Sequence, residues 1–471
     1  MRPLFMALML PAALTIFAVA PDAAWPAEFQ TGVAVVDITP PLGYRLSGYF
    51  HERLATGTHD PLKAKALVLK QGDCLGAIVL CDIIGVSLDV STRARQLAEK
   101  KTGIPAANIL IAATHTHTGP QYFGAMRKQL HDKAVAKEGH DPQEKIDYPA
   151  TLVEKLAGAI AAAQAAARPV EMQLGVGEQK TISFNRRFHM KGQSEVRCNP
   201  GIMNPKVDRA AGPIDPEVGV VLFRTAADRR PLASLTVFAL HLDTFGGTEF
   251  SADFPYYLEQ SLREELGQGF VSLFGNGTCG DINHIDVVKR YWPTGRPKTD
   301  QIGNTLGKTV RAELKKLRPV DGPSLAVGRE IVDVPLQKFS KEETARAKAS
   351  MDKATSRGPC PDRVKIYKIA ALALRGGDTI PIEVQAFRLG KELAVVGLPG
   401  EVFVDLGLAI KRGSPFATTL VIELANDAPG YIPTRKAFQE GSYETVNSRI
   451  QPGGGEAMVA AAIRLLKELK Q

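Results

Sequence analysis

Cysteine is scarce in this chain. Five occur (Cys74, Cys81, Cys198, Cys279 and Cys360), an odd number with no C-x-x-C among them. That excludes a thiolate zinc ribbon and a dense disulfide framework. An oxidising compartment would still permit one or two bridges, whose pairing sequence does not set. Dense positive charge is lacking too. The net charge is +8, from 58 Lys and Arg against 50 Asp and Glu, with no run of five basic residues and no interleaving of basics with aromatics. Nucleic acid is thereby excluded as a partner. The mild positive balance allows weak peripheral attraction to anionic surfaces, membrane lipid included, although a solvated basic surface needs no partner. No motif for a protein partner stands out. Internal repeats and low-complexity linkers are absent, and 44% hydrophobic residues with 23% charged excludes wholesale disorder.

Beyond the first twenty residues no apolar run approaches a membrane-spanning length. Those first residues read as a targeting segment. Arg2 is the charged start, and Leu4 to Ala20 is apolar but broken by Pro11. Ala18-Val19-Ala20 is a small-x-small cleavage pattern, with Ala24 to Ala27 as a second. Residues 1–27 are thus a signal peptide, cleaved between 20 and 27, and 28–471 form one large domain. The protein is expected to be secreted or periplasmic.

Strand-like and helix-like stretches are interspersed over that domain. Helix formers fill Ser91 to Lys101 and Leu152 to Ala167, whereas Ala64 to Lys70 and Gly76 to Cys81 form a hairpin about Gln71-Gly72-Asp73. Val170 to Phe184 reads as strand pairs. Gln121 to Asp147 reads as an irregular excursion and Asn185 to Pro213 as a second long loop. The fold class expected is α/β, with mixed β-sheets covered by helices in an α/β/β/α-like layered single domain.

Chemistry concentrates where apolar strands end. Asn108 to Ala112 runs into Ala113-Thr114-His115-Thr116-His117-Thr118-Gly119-Pro120. In extended chain, residues two apart point the same way, so His115 and His117 share a side if the strand runs that far. One could bind a metal while the other handles a proton. Taken alone, an H-x-H equally describes two satisfied histidines in a turn. Thr236 to Leu240 leads to His241, Val395 to Leu398 leads through Pro399-Gly400 to Glu401, and Leu424 opens a turn-rich stretch holding Tyr431. Each could be structural by itself; Glu401 in particular suits a helix start for dipole reasons.

Together these stretches resemble the catalytic domain of the neutral/alkaline non-lysosomal ceramidase family. The resemblance runs from Gly32-Val33-Ala34-Val35-Val36-Asp37-Ile38-Thr39 to about Gly455. It is most specific at Thr114 to Pro120, at Gly400-Glu401 and at Asn426 to Thr434. It implies a Zn²⁺ ion held by His115, His241, Glu401 and Tyr431. It also implies catalytic roles for His117 as proton shuttle or oxyanion donor, for Arg186 in the pair Asn185-Arg186, and for Tyr443. The implied reaction is hydrolysis of a linear amide, an N-acyl lipid such as ceramide, by zinc-activated water. Imidazole and carboxylate donors suit that ion.

Two departures stand out. The family's serine, a nucleophile or substrate-positioning group, corresponds to Asn283 in Gly280-Asp281-Ile282-Asn283-His284. An amide cannot act as attacking alkoxide, so Asn283 could only exchange hydrogen bonds. Cys279 lies four residues earlier and is not promoted to nucleophile without geometry. The carboxy-terminal β-sandwich domain of the family is not expected in this chain. Three readings follow: a ceramidase-like zinc amidohydrolase, a hydrolase of another amide or ester, or a non-catalytic metal-binding homologue.

Overall fold

The computed structural model describes residues 28–289 and 294–471. The expected signal segment, residues 1–27, lies outside the described residues.

Two sheets carry the fold. The larger has nine strands. Eight run in the order Val271–Asn276, Pro231–Phe238, Glu217–Thr225, Arg168–Glu178, Phe29–Asp37, Lys63–Gln71, Cys74–Cys81 and Ile109–Ala113, and Arg318–Pro319 pairs beside Arg168–Glu178. The two outermost pairs are parallel and the rest antiparallel. The smaller sheet orders Ala326–Pro335, Thr379–Arg388, Leu393–Gly397 and Thr418–Ile422, the last two parallel.

Side-chain alternation stacks these sheets. On Lys63–Gln71, Leu67 and Leu69 point toward Phe387, Leu389, Leu393 and Val395 of the smaller sheet. Ala64, Ala66 and Val68 point the other way, under the helices Leu88–Thr102 and Tyr148–Ala165. Small residues on that face let the helices approach closely. At Gly32 a Cβ would lie 1.9 Å from the Ala163 carbonyl oxygen. The far half of the larger sheet is covered by Phe254–Leu266 and Arg296–Leu314, and the outer face of the smaller sheet by Val404–Gly413 and Gly454–Lys470. The layers are therefore helix, sheet, sheet, helix, as expected.

Local signals set the helix ends. Ser87 caps Leu88–Thr102 by accepting from the Val90 N–H, and Gly103 closes it with φ +74°. Asp147 caps Tyr148–Ala165. No helix among the described residues is long and apolar enough to cross a membrane.

Three stretches differ from expectation. Gln121 to Asp147 is not irregular, because Gly124–Glu138 is a helix. Its amino end has no side-chain cap and it buries only Met126. It is held by tertiary packing against Met351, Ala354 and Tyr367 rather than by local signals. Asn185 to Pro213 contains a small sheet of Arg187–Met190, Val196–Cys198 and Val207–Ala210. Val170 to Phe184 is mostly one strand, Arg168–Glu178.

Candidate metal centre

The strand Ile109–Ala113 stops two residues short of His115. The backbone N–H groups of Thr114 and His115 bond to the carbonyls of Cys81 and Ile83, at 2.8 and 3.0 Å. His115 takes φ +82°, a left-handed conformation that costs a β-carbon residue roughly 1–2 kcal/mol. That turn lets its Nδ1–H donate to the Ile84 carbonyl at 2.7 Å, which leaves a lone pair on Nε2 pointing inward.

His241 arrives from the strand Pro231–Phe238. The two histidine segments are tied directly, by a 3.0 Å bond from the His117 N–H to the Leu242 carbonyl. Asn276, at the end of the strand Val271–Asn276, links them again. Its Oδ1 accepts from the Leu240 N–H at 3.4 Å and its Nδ2 donates to the Thr114 carbonyl at 3.2 Å.

Three imidazole nitrogens consequently converge. His241 Nε2 lies 3.1 Å from His115 Nε2 and 3.1 Å from His117 Nε2, and the latter two are 3.4 Å apart. Glu401 Oε2 stands 3.5 Å from His115 Nε2. Donors about 2.0–2.1 Å from a tetrahedral ion are about 3.3 Å from one another. Converging lone pairs at this spacing repel unless a cation lies between them, so the donor set fits a metal such as zinc. Burial, and then the charge on His115, push the His117 pKa down to about 4, and the same causes hold His241 well below its usual value. Both are therefore neutral near pH 7, the form that ligates. At His115 burial opposes the charged form, but the Glu401 carboxylate outweighs it and raises the pKa.

The other nitrogens of these rings differ. A ligating histidine normally has its second ring nitrogen held by a partner. His115 has the Ile84 carbonyl, and His241 Nδ1 lies 3.8 Å from Cys279 Sγ. His117 Nδ1 is buried without a partner, and the ring lines an open cleft.

Glu401 and Tyr431 are brought together by a short parallel pairing, Glu401 with Tyr431 and Val402 with Ile432. The Glu401 N–H donates to the Gly430 carbonyl at 3.0 Å. Burial disfavours the Glu401 carboxylate, but His115 and the Tyr431 hydroxyl hold its pKa below the ordinary value. Gly400 makes the approach possible. Its φ is +83°, and a Cβ there would meet the Gly430 oxygen at 2.6 Å. Gly400→Ala is expected to lower stability by at least about 1–2 kcal/mol, from the left-handed backbone alone, and to weaken any metal affinity by shifting Glu401. Thermal unfolding with and without metal checks this.

Arg186 reaches the site from the side. Its Nε donates to Glu444 Oε1 at 2.8 Å and its Nη2 to the Gly280 carbonyl at 2.7 Å and the Tyr431 hydroxyl at 3.1 Å. Tyr443 lines the cleft with its ring 5.6 Å from that of Tyr431. Asn283 is placed elsewhere. Its Nδ2 donates to Asn199 Oδ1 at 2.6 Å, its Oδ1 accepts from the Ile285 N–H, and it does not line the cleft. The structure thus gathers His115, His117, His241, Glu401, Tyr431, Arg186 and Tyr443, and leaves Asn283 aside.

Other supporting residues gave no signal in the sequence. Glu423 accepts the Cys279 and Val402 N–H groups at 3.1 and 2.7 Å and the Cys279 thiol at 3.0 Å. Burial holds that thiol protonated, so Cys279 supports His241 and is no nucleophile. The cleft beside the histidines has a cavity volume of about 210 Å³, with Phe50, Phe123, Met126 and Tyr367 on its walls. A second group of metal-ligand type, His131, Asp141 and Glu144, has its carboxylates engaged by Arg45 and Arg127.

Comparison with known proteins agrees with this arrangement. Residues 29–284 match the family model described as neutral/alkaline non-lysosomal ceramidase, N-terminal. The neutral ceramidase of Pseudomonas aeruginosa is 22% identical over 94% of this chain and 72% of its own length. Neutral ceramidase B of Dictyostelium discoideum is 23% identical over 54% of this chain and 35% of its own. The crystal structure of the Pseudomonas aeruginosa enzyme superposes with a TM-score of 0.70 at 18% identity, covering 94% of this chain and 75% of that one. A structure titled ceramidase complexed with C2 gives the same score at 17% identity.

Proposed function

From the membership of this chain in the neutral/alkaline non-lysosomal ceramidase family, we infer that this amidohydrolase uses zinc to cleave the linear amide of an N-acyl lipid, ceramide being the reference substrate. The observation that carries the reading is the convergence of three imidazole Nε2 atoms within 3.4 Å beside the Glu401 carboxylate.

His115, His241, Glu401 and Tyr431 would hold the ion. Bound there, it supplies a Lewis acid for the amide carbonyl and lowers the pKa of water toward neutrality. His117 has the other role. It faces the cleft, is neutral and lacks an Nδ1 partner, so it can take a proton from the attacking water and pass it to the leaving nitrogen. Arg186 keeps the Tyr431 oxygen beside Glu401. Burial raises the Tyr443 pKa, so that phenol stays protonated and can donate to the carbonyl oxygen. The apolar cleft walls suit an acyl chain. Because Asn283 is outside the cleft, its lack of a hydroxyl leaves these groups untouched, which favours catalysis over a binding role.

Purified protein is expected to contain about one zinc per chain and to hydrolyse a fluorogenic N-acyl amide. A chelator should remove both zinc and activity, and added zinc should restore them. Zinc without hydrolysis of any amide or ester would sink the enzymatic reading; absence of zinc would sink the ligand set. Export is part of the same proposal, supported by the apolar stretch Leu4 to Ala20. Mass analysis of exported protein should show a new amino terminus between residues 20 and 28.

A further inference from the structure

Buried arginines in this protein have partners. Arg45 pairs with Asp141, Arg95 with Glu383, and Arg186 and Arg187 with Glu444. Arg449, half-buried, has none among the described residues. It lines the same cleft as His117 and Glu401, and its Nε is buried without a partner. Among the described residues its guanidinium has neither a hydrogen bond nor a carboxylate within ion-pair distance. Asp427 and Glu401 act on it only from farther away, and Asp427 Oδ2 is likewise buried without a partner.

The position is close to the chemistry. A Cβ at Gly430 would stand 3.7 Å from the guanidinium carbon of Arg449, and the Gly430 carbonyl is the one that accepts the Glu401 N–H. Withdrawing the Nε of a guanidinium from water is costly unless an anion meets it. Its planar fork matches a carboxylate with two parallel hydrogen bonds. Phe50, Phe123, Met126 and Tyr367 line the same cleft and suit hydrocarbon. One cleft therefore offers an apolar wall, a metal centre and a free cation.

We propose that Arg449 binds a carboxylate on the substrate, so that the preferred substrates are N-acylated amino acids rather than neutral N-acyl amides. The inference rests on the amide-hydrolase reading for its chemistry, while carboxylate recognition can be measured apart from turnover.

The deciding experiment is equilibrium binding of N-lauroylglycine and of neutral N-lauroylethanolamine to the full metal-free chain. Wild type should bind the carboxylate about ten- to a hundredfold more tightly, the range of a charge-assisted pair. Arg449→Gln should bring the ratio near one, and Arg449→Lys should keep part of it. With zinc restored, the ratio of kcat/KM for the two amides should fall in R449Q mainly through KM. Equal binding by wild type, or a preference that survives R449Q, would overturn the proposal. Circular dichroism checks the fold of R449Q; should that fold be lost, the wild-type ratio and R449K decide. A carboxylate preference that depends on Arg449, without hydrolysis of either amide, would support carboxylate binding and refute the amidase reading. Hydrolysis of both amides at equal rates would do the reverse.

Discussion

Alanine at His241 is expected to empty the site of zinc and to lower amide turnover about a thousandfold. The magnitude follows from the several kcal/mol that a Lewis acid contributes to such a transition state, at about 1.4 kcal/mol per tenfold in rate. His241 is central because its Nε2 is 3.1 Å from both other imidazole nitrogens. Its removal leaves a single pair of rings, His115 and His117, 3.4 Å apart. His117→Ala should behave differently, keeping zinc while losing turnover, because its Nδ1 is unsupported and its ring faces the cleft. Metal content by mass spectrometry beside kcat for the two variants separates the roles. Zinc retained in His241→Ala, or lost in His117→Ala, would reverse the assignment. The protein should stay folded in both, since Asn276 still joins the segments through backbone groups.

The largest loss of stability is expected at Glu444, which carries no catalytic group. Its carboxylate is fully buried between Arg186, at 2.8 Å, and Arg187, at 2.9 Å. Removing one partner of a buried pair costs about 3–5 kcal/mol, because the remaining charge is stranded without water. Glu444→Ala leaves Arg186 without a carboxylate and Arg187 with only Glu440, at 3.3 Å, so denaturant unfolding near pH 7 should show a loss in that range. The damage also reaches the site. Without Glu444, Arg186 keeps only the Gly280 carbonyl and the Tyr431 hydroxyl, so zinc affinity should fall as well. A variant as stable as wild type would show that the two arginines are satisfied elsewhere.

The same residue gives a pH test. Burial opposes ionisation of Glu444, but the two guanidinium groups outweigh it and hold its pKa below the ordinary value. A depressed folded pKa means that ionised Glu444 stabilises above the unfolded value of about 4.3, and that this stability is lost as pH falls through the folded value. The stability gap between wild type and Glu444→Gln should thus be full near pH 7 and close in acid below about pH 4. A gap that did not change with pH would assign it to hydrogen-bond geometry instead of charge.

Much of the candidate site was legible because its residues follow apolar strands. His115, His241, Glu401 and Tyr431 each come shortly after such a run, and loops beyond strand ends are where α/β folds gather ligands. The reasoning for His115 and His117 reached a correct convergence by a route the chain does not take. Continued extension was expected to turn both rings to one side, but the strand ends at Ala113 and His115 adopts φ +82°. The backbone ties to Ile83, Ile84 and Leu242 aim the rings. Asn283 shows the opposite case. Its place in the motif suggested a part in catalysis, but tertiary contacts turn its amide to Asn199.

What the sequence determined by itself was the layered α/β architecture and the placing of ligand-type side chains beyond strand ends, while their assignment to a metal rested on the family resemblance. Both are written in short-range terms: alternation along strands such as Lys63–Gln71, caps such as Ser87, and ligand types just beyond apolar runs. Only the tertiary structure decided which side chains have partners. Glu423 beneath Cys279, Asn276 between the histidine segments, Glu444 between two arginines and the unpaired Arg449 depend on contacts between residues far apart in the chain. The cleft walls are of that kind as well. The helix Gly124–Glu138 has no cap of its own and is held by packing, and Arg363–Arg375, which supplies Tyr367 to the cleft, had no reading in the sequence. Local patterning records which face of an element is apolar; which distant group meets that face is set only when the layers close.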